Sequence, residues 1–217
     1  MPFHLQIDGE GDGPANMATD ALLLAEAEEG AYAARVYSWS GIWVSLGRFQ
    51  RASKDLFELD TTKWVLRPTG GKAVLHGHDV TVSLAMPLAD SRLASRSLRT
   101  NYRVITQPLI GALRECGLAA HLAEDTQFSL RGQRTADCFG FNSPNDVVDE
   151  NTGRKLCGVA LRQTDRAILL QASIPFRIPD VDPASLIVGA GPCLAEPWNH
   201  LNFAAAYDKA LRRFDHS

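Results

Sequence analysis

Residues 145–174, NDVVDENTGRKLCGVALRQTDRAILLQASI, hold three β-branched, apolar runs separated by connections of only a few residues. Parallel neighbours need a crossover of a dozen residues or more, so such short links demand antiparallel pairing. Glu150-Asn151-Thr152-Gly153 reads as the tight turn of a hairpin, and a further strand is expected at DCFGF, residues 137–141, giving a β-meander. Upstream, ARVYSW and IWVSLGRF read as two strands joined at Ser40-Gly41, and Lys63 to Arg67 and Val80 to Met86 as two more. Helical periodicity marks Asn16 to about Glu29, Leu98 to Cys116 with Pro108 inside it, and Asn202 to Phe214. The expected fold is therefore α+β: mostly antiparallel or mixed sheet flanked by helices, in one domain over residues 1–217.

Composition narrows the function. A net charge of −3 supplies no global positive field, so nucleic acid is not expected as a partner. The start, MPFHLQIDGEGDG, lacks the basic and apolar regions of a secretory signal, and no stretch reaches the ~18 apolar residues of a membrane span. The expectation is a cytoplasmic protein with no membrane partner. Cys116, Cys138, Cys157 and Cys193 form no CxxC pair and have no His-rich companion spacing, which points to free thiols rather than a metal site or a disulfide framework.

Two runs carry chemistry. In Arg67-Pro68-Thr69-Gly70-Gly71-Lys72-Ala73-Val74-Leu75-His76, adjacent glycines allow close backbone approach to a ligand, and Arg67 and Lys72 offer positive charge to a carboxylate or phosphate. Alone, a TGG run is equally compatible with a plain turn. In Gly153-Arg154-Lys155-Leu156-Cys157-Gly158-Val159-Ala160-Leu161, a lysine entering a strand of small residues either points into a pocket or ends a hairpin in solvent. His76 is assigned to binding, and Asp79 either caps a turn or holds the loop.

Together with Asn16-Met17-Ala18-Thr19-Asp20, these runs resemble the lipoate ligase and octanoyltransferase branch of the biotin/lipoate protein ligase superfamily, over roughly residues 16 to 175. That branch carries Arg-x-Thr-Gly-Gly-(Gly or Arg)-Ala-Val-x-His and, later, Gly-x-Lys-(apolar)-x-Gly-Ser-Ala-Gln. No GRGR-type biotin loop is present. The resemblance implies substrate binding by Arg67, Thr69, Gly70, Gly71, Lys72, Ala73, His76, Gly158 and Ala160. It implies catalysis by Cys138 as acyl-accepting nucleophile and Lys155 as its partner, because Cys138-Phe139 precedes Pro144 and Lys155 as in the cysteine-dependent branch. A basic residue at the third loop position, here Lys72, points the same way, as does the absence of room for an accessory domain before Ser217.

The implied reaction is transfer of an octanoyl or lipoyl group from a thioester on an acyl-carrier protein or a lipoylated protein to a lysine of a lipoyl domain, without a cofactor. ATP and magnesium enter only in the alternative, a ligase acting through lipoyl-adenylate; a non-catalytic acyl-binding member is a third reading. An ammonium beside Cys138 is expected to raise its thiolate fraction, and backbone N–H groups of Gly71 to Ala73, with Lys155, to hold the oxyanion. Gly158-Val159-Ala160-Leu161 departs from the family's Gly-Ser-Ala-Gln and removes a hydroxyl and an amide. The basic segment Arg92, Arg96, Arg99 and Arg103 reads either as a solvated helix face or as a surface that steers an acidic carrier or lipoyl domain.

Overall fold

A computed structural model describes residues 2–93 and 97–216. Its main sheet has seven strands in the order β1-β2-β6-β10-β9-β8-β7, and a second sheet has three in the order β4-β3-β5. The large sheet comprises β1 (His4–Gly11), β2 (Ala33–Trp39), β6 (Asp79–Pro87), β7 (Ala120–Leu122), β8 (Val147–Asp149), β9 (Lys155–Gln163) and β10 (Ala167–Pro175). The small one comprises β3 (Trp43–Leu46), β4 (Trp64–Leu66) and β5 (Val74–His76). The helices are α1 (Gly13–Glu28), the short α2 (Ala52–Asp55), α3 (Leu98–Ile105), α4 (Gln107–Glu115) and α5 (Phe203–Asp215).

β10 runs antiparallel to both of its neighbours, with Gln171 opposite Ser83 on one side and Ala160 on the other. All nine of its residues are buried, because α1 covers one face of the sheet and α3, α4 and α5 the other. Only β1 and β2 pair in parallel in this sheet, and α1 is the crossover that such a pair requires. Pro14 in the first turn of α1 costs no helix bond, and the Asp12 side chain accepts from Ala15 N. Leu23, Leu24 and Ala27 of α1 then pack on Ala85 and Leu169 of the sheet. Among the described residues no helix is long and apolar enough to cross a membrane.

The fold class stands as expected, but three elements differ. β2 and β3 do not form a hairpin, because both edges of β2 are taken, by β1 and β6. The chain instead turns at Gly41 (φ +79°) and starts the small sheet. The expected long helix divides at Thr106: Pro108 has no N–H to bond back into the preceding turn and sits where α4 tolerates it, in its first turn. Residues 137–141 are a loop rather than a strand, touching neighbours through isolated bridges, Ala73 to Asp137 and Gly132 to Phe141. The short strands β5 and β7, and β1 at the N-terminal edge, had no distinct signal in the sequence.

In the core between sheet and helices, Tyr207 of α5 is fully buried, and its hydroxyl has no partner among the described residues. An unpaired buried hydroxyl costs free energy that its removal recovers. Tyr207→Phe is therefore expected to leave stability unchanged within about 0.5 kcal/mol or to raise it, whereas Tyr207→Ala is expected to cost about 3–5 kcal/mol, both measured by urea unfolding.

Candidate active site

The two chemistry-bearing runs meet because the loop after β4 and the loop carrying Cys138 are stitched together by backbone bonds. Ala73 N donates to Ala136 O at 2.9 Å, and Cys138 N donates to Ala73 O at 2.8 Å. Gly47 makes the approach possible from β3, since a Cβ there would lie 2.1 Å from Gly71 O. Arg67 braces the loop from inside. Its Nε and Nη2 donate to Gly70 O, Nη2 also to Lys72 O, and Nη1 to the carbonyl and hydroxyl oxygens of Ser45, at 2.7–3.2 Å. All its N–H directions are thus spent on the protein, and an anionic ligand finds a buried charge rather than a free donor. Arg67 has no carboxylate partner among the described residues.

Lys155, at the start of β9, reaches the thiol. Its Nζ donates to Cys138 O at 2.6 Å, Phe141 O at 3.1 Å and Asp146 Oδ2 at 2.8 Å, and lies 3.4 Å from Cys138 Sγ. The ammonium has three protons, and the two carbonyls and Asp146 take them in the resting state. Burial acts to lower the pKa of Lys155, but Asp146 overrides it and holds the side chain charged. Burial pushes the Cys138 thiol up; Lys155 and Arg67 pull it back, Asp146 and Asp137 do not, and the balance stays above the ordinary value. The expected rise in thiolate fraction is therefore corrected: the positive charges are in place, but desolvation outweighs them. A Cβ on Gly158 would lie 2.9 Å from Cys138 Sγ, so only glycine leaves the thiol its position.

Behind the thiol lies a narrow apolar cavity of about 40 Å³. Gly71, Cys138, Gly158 and Ala160 border it, and Met17, Tyr37, Trp39, Val74, Val159 and Ala172 supply much of its apolar wall. His76 lines it too, stacked on Trp39 at 3.9 Å between ring centroids, with Nε2 2.8 Å from Ser45 Oγ and Nδ1 2.8 Å from Asp79 Oδ2. Burial works to raise the Asp79 carboxyl, but His76 and Ser173 hold it well below the usual carboxylate range. Asp79 thus secures the loop and His76 from within the core, and also accepts from Gly77 N and Thr81 Oγ1.

Other expected residues are placed differently. Ala73 is buried in the apolar core of the small sheet, and its N–H is spent on Ala136, so it cannot serve an oxyanion. The N–H groups of Gly71 and Lys72 have no partner among the described residues. The Lys72 side chain lies on an outer groove rather than in the cavity. Thr69 donates to Gln171 Oε1 at 2.6 Å, and Gln171 passes the contact on, from Nε2 to Asp20 Oδ2 at 2.6 Å. Gln171 also lines the cavity, whereas Leu161 packs into the core beneath α3 to α5, on the other face of the sheet. An amide at position 161 would point away from the cavity, and Gln171 provides one inside it.

Sequence reasoning missed Gln171 and the rest of this network. Asp20 accepts from Tyr37 Oη at 2.7 Å and Arg35 Nη1 at 3.2 Å, while Arg35 also bonds Asn16 and Asp8. Asn16 and Asp20 carried the only signal, through the resemblance of their segment. The basic segment is corrected. Arg92 is half-buried against Asp90 and Asp215, and Arg99 and Arg103 pair with Glu124 and Asp125, so it offers no free positive face; Arg96 lies outside the described residues. Of the remaining thiols Cys157 is core, Cys116 is partly buried at the end of α4, and Cys193 lies 3.8 Å from His78 Nε2.

Several known proteins resemble this chain. A model of the lipoyl protein ligase A/B catalytic domain matches residues 12–193. The chain is 35% identical over 187 residues to "Octanoyltransferase LipM" of Kyrpidia tusciae, covering 82% of this chain and 66% of the relative. It is 33% identical over 182 residues to the protein of the same name from Exiguobacterium sp., covering 79% and 65%. The chain thus spans just under two thirds of the length of these curated relatives. A Thermoplasma acidophilum protein solved with lipoic acid bound superposes with a TM-score of 0.75 at 18% identity, covering 100% of this chain and 87% of that one. A lipoate-protein ligase A solved with ATP gives 0.70 at 17% identity, covering 99% and 85%. At those identities the likeness is one of fold.

Two outcomes are expected from the thiol's surroundings. Alkylation proceeds through the thiolate, so iodoacetamide incorporation at Cys138, followed by peptide mass spectrometry, should still rise roughly tenfold per pH unit up to pH 9; a plateau below pH 8 would contradict the raised pKa. Lys155 and Asp146 are 5% and 3% exposed, so Asp146→Asn strands a buried charge. Its expected cost is about 3 kcal/mol in urea unfolding.

Proposed function

Because the chain belongs to the lipoyl protein ligase A/B catalytic-domain family, we propose that it is an acyltransferase that moves an octanoyl or lipoyl group from a thioester donor to a lysine of a lipoyl domain through an acyl-enzyme on Cys138. The observation that carries this reading is the thiol itself, 3.4 Å from a buried ammonium and at the mouth of an apolar cavity. The acyl chain enters the cavity between Met17, Tyr37, Trp39 and Val74, which places its carbonyl beside Cys138.

In the first half-reaction Cys138 Sγ bonds to the carbonyl carbon, the donor's C–S bond breaks, and the Cys138 proton leaves with the departing thiol. In the second, a neutral lysine amine bonds to the same carbon, gives up one proton, and Cys138 departs as a thiol. Negative charge develops twice on the same oxygen. Lys155, Arg67 and the N–H groups of Gly71 and Lys72 are the positive groups fixed around it, and such preorganised groups stabilise a transition state without reorganising. A charge on the sulfur or oxygen draws on the same two cations that the resting thiol uses only in part.

No cofactor is proposed, since thioester and amide exchange need no activation by ATP. The ligase reading, with lipoyl-adenylate and magnesium, has less support: Lys155 is committed to the Cys138 loop and to Asp146 rather than presented to a carboxylate and phosphate. The proposed donors and acceptors are acyl-carrier and lipoyl-domain proteins, and the proposed compartment is the cytoplasm, in keeping with four unpaired cysteines.

Intact-protein mass spectrometry after mixing with an octanoyl-carrier protein, without ATP, should show a hydroxylamine-labile octanoyl adduct that Cys138→Ala abolishes. Modification of a lipoyl domain only after ATP and lipoate are supplied would establish the ligase instead. Silence under both conditions would favour a non-catalytic acyl-binding protein.

A further inference from the structure

Among the described residues, several cations without an ion pair lie on segments joined to the Cys138 loop, while Lys54, Lys63, Arg114 and Arg162, also unpaired, are not part of this group. Arg48, Arg51, Lys72, Arg131 and Arg134 make no ion pair with any described residue, although the chain carries a net charge of −3. They sit on three segments that meet beside the Cys138 loop. Arg48 and Arg51 follow β3, whose Gly47 packs on Gly71. Lys72 precedes the residue bonded to Cys138 N. Arg131 and Arg134 lie on the segment leading into Cys138, and Gln50 Nε2 bonds that segment at Ala136 O, 3.2 Å away.

These cations are held rather than loose. The guanidinium carbons of Arg48, Arg131 and Arg134 lie 4.8, 5.0 and 4.9 Å from the ring centroids of Phe49, Phe128 and Phe141. Arg48, Arg51, Arg131 and Arg134 are exposed. Two carboxylates are near: Asp55 lines the same groove as Lys72 and Arg134, and the buried Asp137 feels Lys72. In the midst of them Phe49 is 80% exposed, and its ring lies 4.0 Å from where a Cβ of Gly70 would stand. Aromatic and arginine side chains together are the usual anchors of a protein interface.

We propose that this cluster is the docking surface for an acidic carrier protein that delivers the acyl thioester on a flexible arm, with Phe49 as its apolar anchor. The inference rests on the acyltransferase reading. Charge complementarity identifies the occupant: a cluster of unpaired cations on the segments beside the Cys138 loop, on a chain of net negative charge, draws an anionic partner toward that loop and raises its encounter rate. The segment Arg92 to Arg103 cannot do this, because its described arginines are paired within the chain.

The test compares two donors with the same octanoyl group, one on an acyl-carrier protein and one on the small thioester octanoyl-N-acetylcysteamine, following Cys138 acylation by mass spectrometry. Arg131→Glu with Arg134→Glu, and separately Arg48→Glu, should slow acylation by the carrier about tenfold or more at low salt, flatten its salt dependence, and leave the small thioester's rate unchanged. Equal rates with the carrier for wild type and both variants at low salt would overturn the docking surface, as would equal loss with both donors. A wild-type protein acylated by neither donor would sink the acyltransferase reading itself, a different failure. An octanoylated lipoyl domain offered in place of the carrier shows whether the cluster discriminates between acidic partners; slowing confined to that protein would also overturn the assignment.

Discussion

The site depends on one buried ion pair. Lys155 and Asp146 lie 2.8 Å apart in the protein interior, and the ammonium spends its other protons on the carbonyls of Cys138 and Phe141. A loop with no ladder partners of its own acquires a fixed shape in this way, and the thiol is set 3.4 Å from a positive charge. A buried pair contributes little net stability after desolvation. What it contributes here is geometry, since both carbonyls must converge on one nitrogen. Arg67 applies the same device to the facing loop, with carbonyls gathered on a guanidinium. The two cations organise the backbone first, and their charge serves the chemistry second.

Much of the fold was legible because it is local. The strands β9 and β10 and the turn before them follow from apolar runs and short connections, which physics permits to pair in only one way. What was hidden depends on partners far away in sequence. Nothing in ARVYSW or IWVSLGRF says that β1 and β6 occupy both edges of β2. Nothing in DCFGF says that Lys155 will claim its carbonyls in place of a neighbouring strand. For the same reason, the pairing of Cys138 with Lys155 could be inferred only from resemblance; no spacing rule connects them. The raised pKa of the thiol was hidden too, because the charge was visible in the sequence and the burial was not.

Gln171 joins three elements at the cavity wall. It lies opposite Ala160 on the neighbouring strand and links Thr69 of the glycine loop to Asp20 of α1. One amide therefore ties the first helix, the central strand and the substrate loop together. Burial alone would favour protonation of Asp20, and Tyr37, Gln171 and Arg35 oppose it. Behind the apolar cavity, Asp20, Tyr37, Arg35, Gln171 and Thr69 form a polar belt whose hydrogen bonds join one another.

The desolvated thiol also bears on how the protein ages between turnovers. Peroxide attacks the thiolate, so a buried sulfur kept protonated climbs the oxidation ladder slowly. The state that waits longest is then the state least open to irreversible damage. Under the proposed acyl transfer, the sulfur is capped as a thioester for the interval when it is engaged. A sulfur held this way trades reactivity for durability.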